Sequence, residues 1–119
     1  MKKKSKKSLN TNKNFFEKVY EITRMIPPGR VTTYGAIAKA IGIKSSARLV
    51  GIALKYSLRL NEYIPAHRVV NRNGILTGKH SFGSPDLMQQ LLENEGIKIE
   101  NNKVVNFKKI FWEPPTNFF

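Results

Sequence analysis

The sequence predicts a mainly α-helical domain with small β elements, built around a helix-turn-helix. Apolar residues recur at helical spacing in three segments between Asn14 and Ser57. A few residues that include Gly42 separate the second segment from the third, which is the layout of a helix-turn-helix. A hairpin pattern from Ile97 to Val105 follows a fourth helical segment. The chain has 119 residues, which suits a single domain with a modest core.

The charge balance favours a polyanionic partner. Lys and Arg number 21 against 8 Asp and Glu, so the formal net charge is +13. Nucleic acid is the first candidate and an anionic membrane surface the second. No apolar run approaches the roughly 20 residues of a transmembrane helix, and no apolar stretch follows the basic N-terminus as it would in a signal peptide. We therefore expect a cytoplasmic protein without a membrane span, and nucleic acid ranks ahead of a membrane as its partner.

The chain contains no cysteine, which excludes disulfides, zinc–thiolate sites and thiol nucleophiles together. Its two histidines, His67 and His80, are too few for a usual structural zinc site without cysteine. We expect neither a metal nor a cofactor.

Residues 1–13 contain six lysines and almost nothing apolar. This composition predicts a disordered basic tail that precedes one domain at 14–119. The sequence leaves two roles open for the tail. It either only solvates the chain, or it also holds phosphates without sequence preference.

Local signals divide the first half of the domain into three helices. The first runs from Asn14 to about Ile26 and ends at two prolines and a glycine. After a β-prone segment, Thr32 or Thr33 caps a second helix from Tyr34 to about Ile41. Ser45 or Ser46 then caps a third helix that ends near Ser57. The positions expected to face inward on this third helix are Leu49, Val50, Ala53 and Leu54.

The second half is less regular. Residues 58–70 are expected to be extended, 71–74 to form a turn and 75–81 a loop. Ser84, followed by a proline and an acid, predicts the start of a fourth helix. That helix runs to about Glu95 and stops at Gly96. The aromatic and proline-rich end, 111–115, is expected to brace the surface.

Four ordered blocks resemble the DNA-binding domain of O6-alkylguanine-DNA alkyltransferases. Residues 28–38 (PGRVTTYGAIA) resemble the start of that domain, and 46–51 (SARLVG) resemble its recognition helix. Residues 64–70 (IPAHRVV) resemble the active-site signature Pro-Cys-His-Arg-Val, and 73–74, followed by Gly78 and then by 91–96, continue the match in order. The resemblance covers roughly 15–97 and implies the winged-helix-like helix-turn-helix fold of the alkyltransferase C-terminal domain.

One departure from the signature decides the implied activity, because Ala66 stands where the repair enzymes carry the acceptor cysteine. Dealkylation of this kind needs a thiolate, so no catalytic residue is expected. The chain thus resembles alkyltransferase-like proteins, which bind O6-alkylguanine without removing the alkyl group. The resemblance implies binding to duplex DNA through the minor groove with base flipping, and signalling to nucleotide excision repair proteins. No oligomerisation seam is visible, so a monomer is expected.

The resemblance also assigns a DNA-binding set. Arg48 matches an arginine that fills the space of an extruded guanine, a role suited to a flat cation. Tyr34 matches a tyrosine that promotes rotation of the target nucleotide. Gly51 either allows close approach of the DNA backbone or serves helix packing, and the sequence leaves both open. The set is Tyr34, Ser46, Ala47, Arg48, Gly51 and Arg72.

The implied lesion pocket is formed by Pro65, Ala66, His67, Val69 and Lys79. His67 and Glu95 match the pair that activates the cysteine in the repair enzymes, and here a structural role is expected for them. Arg68 is expected to brace the same loop, and Glu95 to support it. Lys79 either lies beside the purine as a cation or is a solvated loop lysine.

Two other functions remain open at this level. The chain fits a general helix-turn-helix regulator with a vestigial pocket, which would bind damaged and undamaged DNA alike. It also fits, less well, an enzyme in which His67 and Glu95 activate water.

Overall fold

The computed structural model describes residues 14–42 and 46–119, so the predicted tail at 1–13 and the alternative cap Ser45 lie outside the described residues. In these stretches the chain forms helices, two short 3₁₀ helices and two-residue strands. In order, they are α1 (Phe15–Met25), β1 (Thr32–Thr33), α2 (Tyr34–Ile41), α3 (Ala47–Ser57), the first 3₁₀ helix (Ala66–Arg68), β2 (Val69–Val70), the second 3₁₀ helix (Thr77–Ser81), α4 (Leu87–Asn94), β3 (Ile99–Glu100), β4 (Lys103–Val104) and α5 (Phe107–Ile110). The predicted mainly α fold class is confirmed.

The first helix is closed at its N-terminus by a capping box. The Glu17 N–H donates to Asn14 Oδ1 at 2.9 Å, and the Asn14 N–H donates to Glu17 Oε1 at 3.2 Å. The helix ends at Met25, because the two prolines that follow cannot continue the backbone hydrogen bonds. Its buried face packs on α2 and α3.

Side-chain caps also fix the helix-turn-helix. Thr33 Oγ1 accepts from the Ala36 N–H, and Ser46 Oγ accepts from the Leu49 N–H, both at 3.0 Å. Leu49, predicted to face inward, is 46% exposed, so that prediction was wrong. The buried stripe of α3 starts one residue later, at Val50, and continues with Ala53, Leu54 and Ser57.

Segment 58–70 is only partly extended. A 3₁₀ turn at Ala66–Arg68 precedes β2, which pairs in parallel with β1, Thr32 opposite Val69 and Thr33 opposite Val70. The predicted loop at 75–81 also contains a 3₁₀ helix. In both places, tertiary contacts described below hold the backbone in a turn that the local sequence does not specify.

The fourth helix starts later than predicted, at Leu87. Asp86 occupies the cap position without a side-chain hydrogen bond, and the Ser84 carbonyl only accepts the Leu87 N–H in a turn. The predicted stop at Gly96 is confirmed by its φ of +87°. The predicted hairpin is confirmed as antiparallel β3–β4, and Asn101 and Asn102 at its turn both have positive φ.

Two buried clusters form the core. The first lies among α1, α2 and α3 and includes Val69, while the second lies beneath α4 and the hairpin and includes Val70. The C-terminal segment joins them as the predicted brace, because Val31 bridges Phe111 and the Trp112 N–H donates to the Val31 carbonyl at 2.7 Å. None of the helices in the described part of the chain is both long and apolar enough to cross a lipid bilayer.

Candidate nucleic-acid interface

The signature segment is held by one carboxylate. Arg68 donates to Glu95 through Nε at 3.1 Å and Nη2 at 2.8 Å, and its Nη1 donates to the Ile26 carbonyl at 2.9 Å. His67 Nε2 lies 2.8 Å from Glu95 Oε2, and the Gly29 N–H donates to Oε1 at 3.0 Å. Glu95 therefore ties the first 3₁₀ helix to the turn after α1.

The charges of this cluster follow from its burial. Burial lowers the pKa of His67, against an opposing effect of the Glu95 hydrogen bond, so the imidazole is neutral and donates its Nε2 proton. Burial raises the pKa of Glu95, but hydrogen bonds from Arg68, His67 and the Gly29 N–H outweigh it and lower the pKa to about 2. Glu95 is thus a fixed anion paired with the Arg68 cation.

Ala66 lines a small cavity between α2, α3 and the second 3₁₀ helix. The cavity has a volume of about 30 Å³, which is the space of roughly one water molecule. A flipped base needs more room, so Tyr34 or the second 3₁₀ helix must move to admit one. The other lining residues are Tyr34, Gly51, Leu54, Lys55, Leu58, Gly78, Ser81 and Phe82.

Tyr34 closes this cavity. Its ring lies 3.8 Å from the position a Cβ would take on Gly51, and its hydroxyl lies 2.9 Å from the corresponding position on Gly78. Burial raises the pKa of Tyr34, and a hydrogen bond with the Thr77 side chain opposes that rise. Gly78 is therefore a site residue that sequence reasoning missed. A larger residue there would displace the hydroxyl.

The other predicted pocket residues do not line this cavity. Pro65, His67 and Val69 are buried behind its wall, and Val69 has no exposed surface because it packs in the first core cluster. Lys79 lies half-buried on the second 3₁₀ helix, next to the lining residue Gly78. Phe82, which sequence reasoning missed, lines the cavity instead and packs against both core clusters.

The predicted DNA-binding residues lie at the start of α2, in the first half of α3 with its cap, and after β2. Ser46, Ala47 and Arg48 are exposed at the first turn of α3. Arg48 has no hydrogen-bond or ion-pair partner among residues 14–42 and 46–119, which leaves its guanidinium available to a ligand. Arg72 is exposed two residues after β2, and the parallel pairing of β1 with β2 places it near Tyr34, which follows β1.

No group of three or more metal-ligating side chains lies together in the part of the chain that the structure describes. The side chains available at this surface are thus cations, hydroxyls and an aromatic ring around a small apolar cavity. That set can bind phosphates and hold a base, and it offers no thiol to accept an alkyl group.

Comparisons with known proteins agree with this geometry. The chain is 35% identical over 104 residues to alkyltransferase-like protein 1 of Schizosaccharomyces pombe, covering 84% of this chain and 95% of that protein. It is 38% identical over 101 residues to a DNA base-flipping protein of Escherichia coli, covering 83% of this chain and 74% of the relative. The crystal structure of S. pombe Atl1 in complex with damaged DNA containing O6-carboxymethylguanine superposes with a TM-score of 0.73 at 36% identity, covering 84% and 95% of the two chains.

The family model of the 6-O-methylguanine DNA methyltransferase DNA-binding domain matches residues 14–97, which include the helix-turn-helix, the signature segment and Glu95. The absence of cysteine means that this chain cannot accept an alkyl group as the methyltransferases do. By fold, by signature and by the order of its elements, the chain belongs to the 6-O-methylguanine DNA methyltransferase DNA-binding domain family.

Proposed function

We propose that this protein recognises O6-alkylguanine in duplex DNA and leaves the alkyl group in place. The observation that carries the proposal is Ala66 in the wall of a cavity that is also lined by Tyr34 and by Gly51 of α3. A methyl side chain there provides room for an alkyl group but no nucleophile. The relative whose structure contains damaged DNA shares the fold at 36% identity, which supports the same ligand class.

In the proposed mechanism, Arg48 and Tyr34 have separate roles in base flipping. Extruding a base costs a few kcal/mol, least when the pair is already damaged. Arg48, exposed and unpaired among the described residues, enters the stack from the minor groove and fills the vacated space. Tyr34 moves off the cavity and crowds the rotated nucleotide. The 30 Å³ cavity then enlarges around the base.

The His67–Glu95 pair has a structural role in this proposal. A general base must accept a proton, but three donors already occupy the Glu95 carboxylate, which is ionised with a pKa of about 2. His67 is 3% exposed and directs Nε2 at Glu95. This arrangement favours a fixed support for the signature segment over activation of water.

Without a thiol, other proteins must remove the lesion that this chain binds. We propose that it acts as a monomer in the cytoplasm and presents the bound duplex to nucleotide excision repair proteins. Sedimentation of the protein with and without damaged duplex tests the monomer, since a dimeric complex would contradict it. Co-sedimentation of the protein–damaged duplex complex with nucleotide excision repair proteins tests whether they bind it.

The decisive experiment compares binding to a short duplex carrying one O6-methylguanine with binding to the identical undamaged duplex, near physiological salt. We expect tighter binding to the damaged duplex, with the preference lost in Arg48→Ala. Arg24→Ala on α1 is the matched control, because it removes an exposed arginine that pairs with Glu62. Equal wild-type affinity for both duplexes would refute damage recognition and leave a general DNA-binding protein.

Ala66→Cys tests the position of the lesion independently. If the methylated base enters this cavity, the introduced thiolate can attack the methyl carbon. The C–O bond to guanine O6 then breaks, leaving guanine and a thioether. Intact-protein mass spectrometry would detect the added methyl group. A variant that binds the damaged duplex for hours without gaining a methyl group would place the lesion elsewhere.

A further inference from the structure

A second basic surface lies beyond the helix-turn-helix, between the turn after β2, the β3–β4 hairpin and α5. Two adjoining cavities of about 480 and 340 Å³ share Arg72, Phe107 and Lys108 in their walls. The larger cavity also includes Lys103 and Lys109. We call this surface the hairpin groove and define it by these five residues.

The hairpin groove is strongly positive. Four of its five defining residues are cations, and no carboxylate lines either cavity. None of the four cations forms an ion pair with another residue in the two described stretches. Glu100 lies opposite Lys103 in the hairpin register and pairs with Lys98, so the four cations still leave the concavity with an excess of positive charge that attracts a polyanion.

The walls of the groove are fixed by backbone contacts. The Val104 N–H donates to the Gly74 carbonyl at 2.9 Å, and Ile75 bridges Lys103, so the hairpin is attached to the turn after β2. The Phe107 ring lies 3.2 Å from the position a Cβ would take on Gly74, whose φ is +80°. A ligand that enters the groove therefore meets a shape that is already formed, which lowers the entropic cost of binding.

Consecutive residues of the chain line the hairpin groove and the cavity that contains Ala66. Thr33 lines the smaller of the two groove cavities together with Arg72, and the next residue, Tyr34, lines the cavity that contains Ala66. The parallel register of β1 and β2 produces this adjacency, because Thr33 lies opposite Val70 at the same edge. A DNA strand that passes Tyr34 is thus directed towards the cations of the groove.

We propose that the hairpin groove binds the phosphate backbone of the duplex on one side of the flipped nucleotide, through Lys103, Lys108 and Lys109 in addition to Arg72. This proposal rests on the proposed function, from which it takes the position of the DNA. The position of Thr33 in the groove, directly before Tyr34 in the chain, favours the flanking duplex over an acidic segment of a partner protein. Phosphate contacts of this kind fix the register of the protein on DNA and carry no sequence information.

The first test measures the salt dependence of duplex binding for Lys103→Gln/Lys108→Gln. Each phosphate contact contributes about 0.9 to the slope of log affinity against log salt, so we expect the slope to fall by about 2. Affinity should fall by the same factor for damaged and undamaged duplexes. Lys18→Gln/Arg24→Gln on α1 removes the same charge away from both cavities and should leave the slope unchanged. A groove variant with the wild-type slope would overturn the proposal.

The second test places the groove on one side of the lesion. Duplexes are lengthened on either the 5′ or the 3′ flank of the O6-methylguanine. Wild-type affinity should rise with length on one flank only, and the groove variant should lose that rise. An equal rise in both proteins would overturn the proposal and leave an acidic protein segment as the candidate partner. The salt slope on undamaged duplex stays informative even where damage recognition fails, so the two proposals can fail separately.

Discussion

Glu95 is the residue through which distant parts of the chain meet. It accepts hydrogen bonds from Gly29, His67 and Arg68, which lie 66, 28 and 27 residues away in the sequence. The Arg68 side chain is 9% exposed and that of Glu95 is 14% exposed, so the pair lies largely out of water. Removing one partner from such a pair leaves an uncompensated charge, which is more costly than losing an exposed salt bridge.

Glu95→Gln should therefore destabilise the fold by about 2–4 kcal/mol, because the buried Arg68 cation loses its counter-charge. Chemical denaturation at neutral pH measures the free energy of unfolding. Glu93→Gln on the same helix is the matched control, since Glu93 is exposed and its carboxylate accepts a hydrogen bond from the Gln89 side chain. If Glu95→Gln and the control had the same free energy of unfolding, this account of the cluster would be contradicted.

The same cluster predicts acid sensitivity. The folded pKa of Glu95 is about 2 against a usual 4.5, so its contribution is complete above pH 4.5 and is lost as pH falls towards 2. The pKa of His67 is also lowered, from 6.5, so stability begins to fall below that pH as the unfolded imidazole binds a proton. Thermal unfolding of wild type against pH should show both losses, and Glu95→Gln should lack the loss below pH 4.5. Parallel pH profiles for the two proteins would refute this assignment.

At the scale of the element, α3 contains residues whose type is explained by core packing and others whose type is not. The sequence left open whether Gly51 serves helix packing or the approach of DNA. A Cβ at Gly51 would lie 3.8 Å from the Tyr34 ring, which is an ordinary contact, so packing does not require glycine there. Leu49 is exposed on the same helix, so core packing does not explain the residue type at either position.

Gly51→Ala should stabilise the protein by about 0.5–1 kcal/mol, because alanine loses less backbone entropy than glycine in a helix. The same variant should bind duplex DNA several-fold more weakly if Gly51 approaches the DNA backbone. Gly35→Ala in α2, where an added Cβ meets no neighbour within 4 Å, calibrates the expected gain in stability. A loss of stability would favour the packing role, and unchanged DNA affinity would remove Gly51 from the interface.

For the whole molecule, the connection between the two core clusters decides whether they unfold together. Arg30 donates to the carbonyls of Ile110 at 3.0 Å and Phe111 at 2.8 Å, which fastens the C-terminal segment beside Val31. Trp112 packs against the first cluster, while Val31 belongs to the second. The C-terminal segment therefore connects the two core clusters.

Arg30→Ala should lower the free energy of unfolding by about 1–3 kcal/mol, since two hydrogen bonds from a charged donor are lost. Trp112 is the single tryptophan, so its fluorescence reports release of the C-terminal segment directly. Arg59→Ala, which removes only an exposed contact over the Tyr56 ring, should change stability by less than about 0.5 kcal/mol. Tryptophan release well before the loss of helical circular dichroism in wild type would show that the clusters unfold separately.

Sequence alone determined the features that depend on neighbouring residues or on composition. The caps of α1, α2 and α3, the stop at Gly96 and the hairpin turn all follow from local hydrogen bonding and backbone preference. The missing thiol is a matter of composition, and the order of the signature blocks was sufficient to indicate the family.

Only the tertiary structure decided which side chains are accessible and what they meet. Val69 lies in the core, whereas the resemblance implied a place in the pocket, and Leu49 lies in solvent, whereas its helical pattern predicted burial. Both outcomes depend on elements that are distant in the chain. The two 3₁₀ helices accompany tertiary contacts, those of Arg68 in the first and the approach of Tyr34 to Gly78 in the second. The hairpin groove arises because the Ile75–Lys103 bridge and the Val104–Gly74 hydrogen bond bring the turn that contains Arg72 beside cations more than 30 residues later in the chain, a proximity that no local pattern encodes.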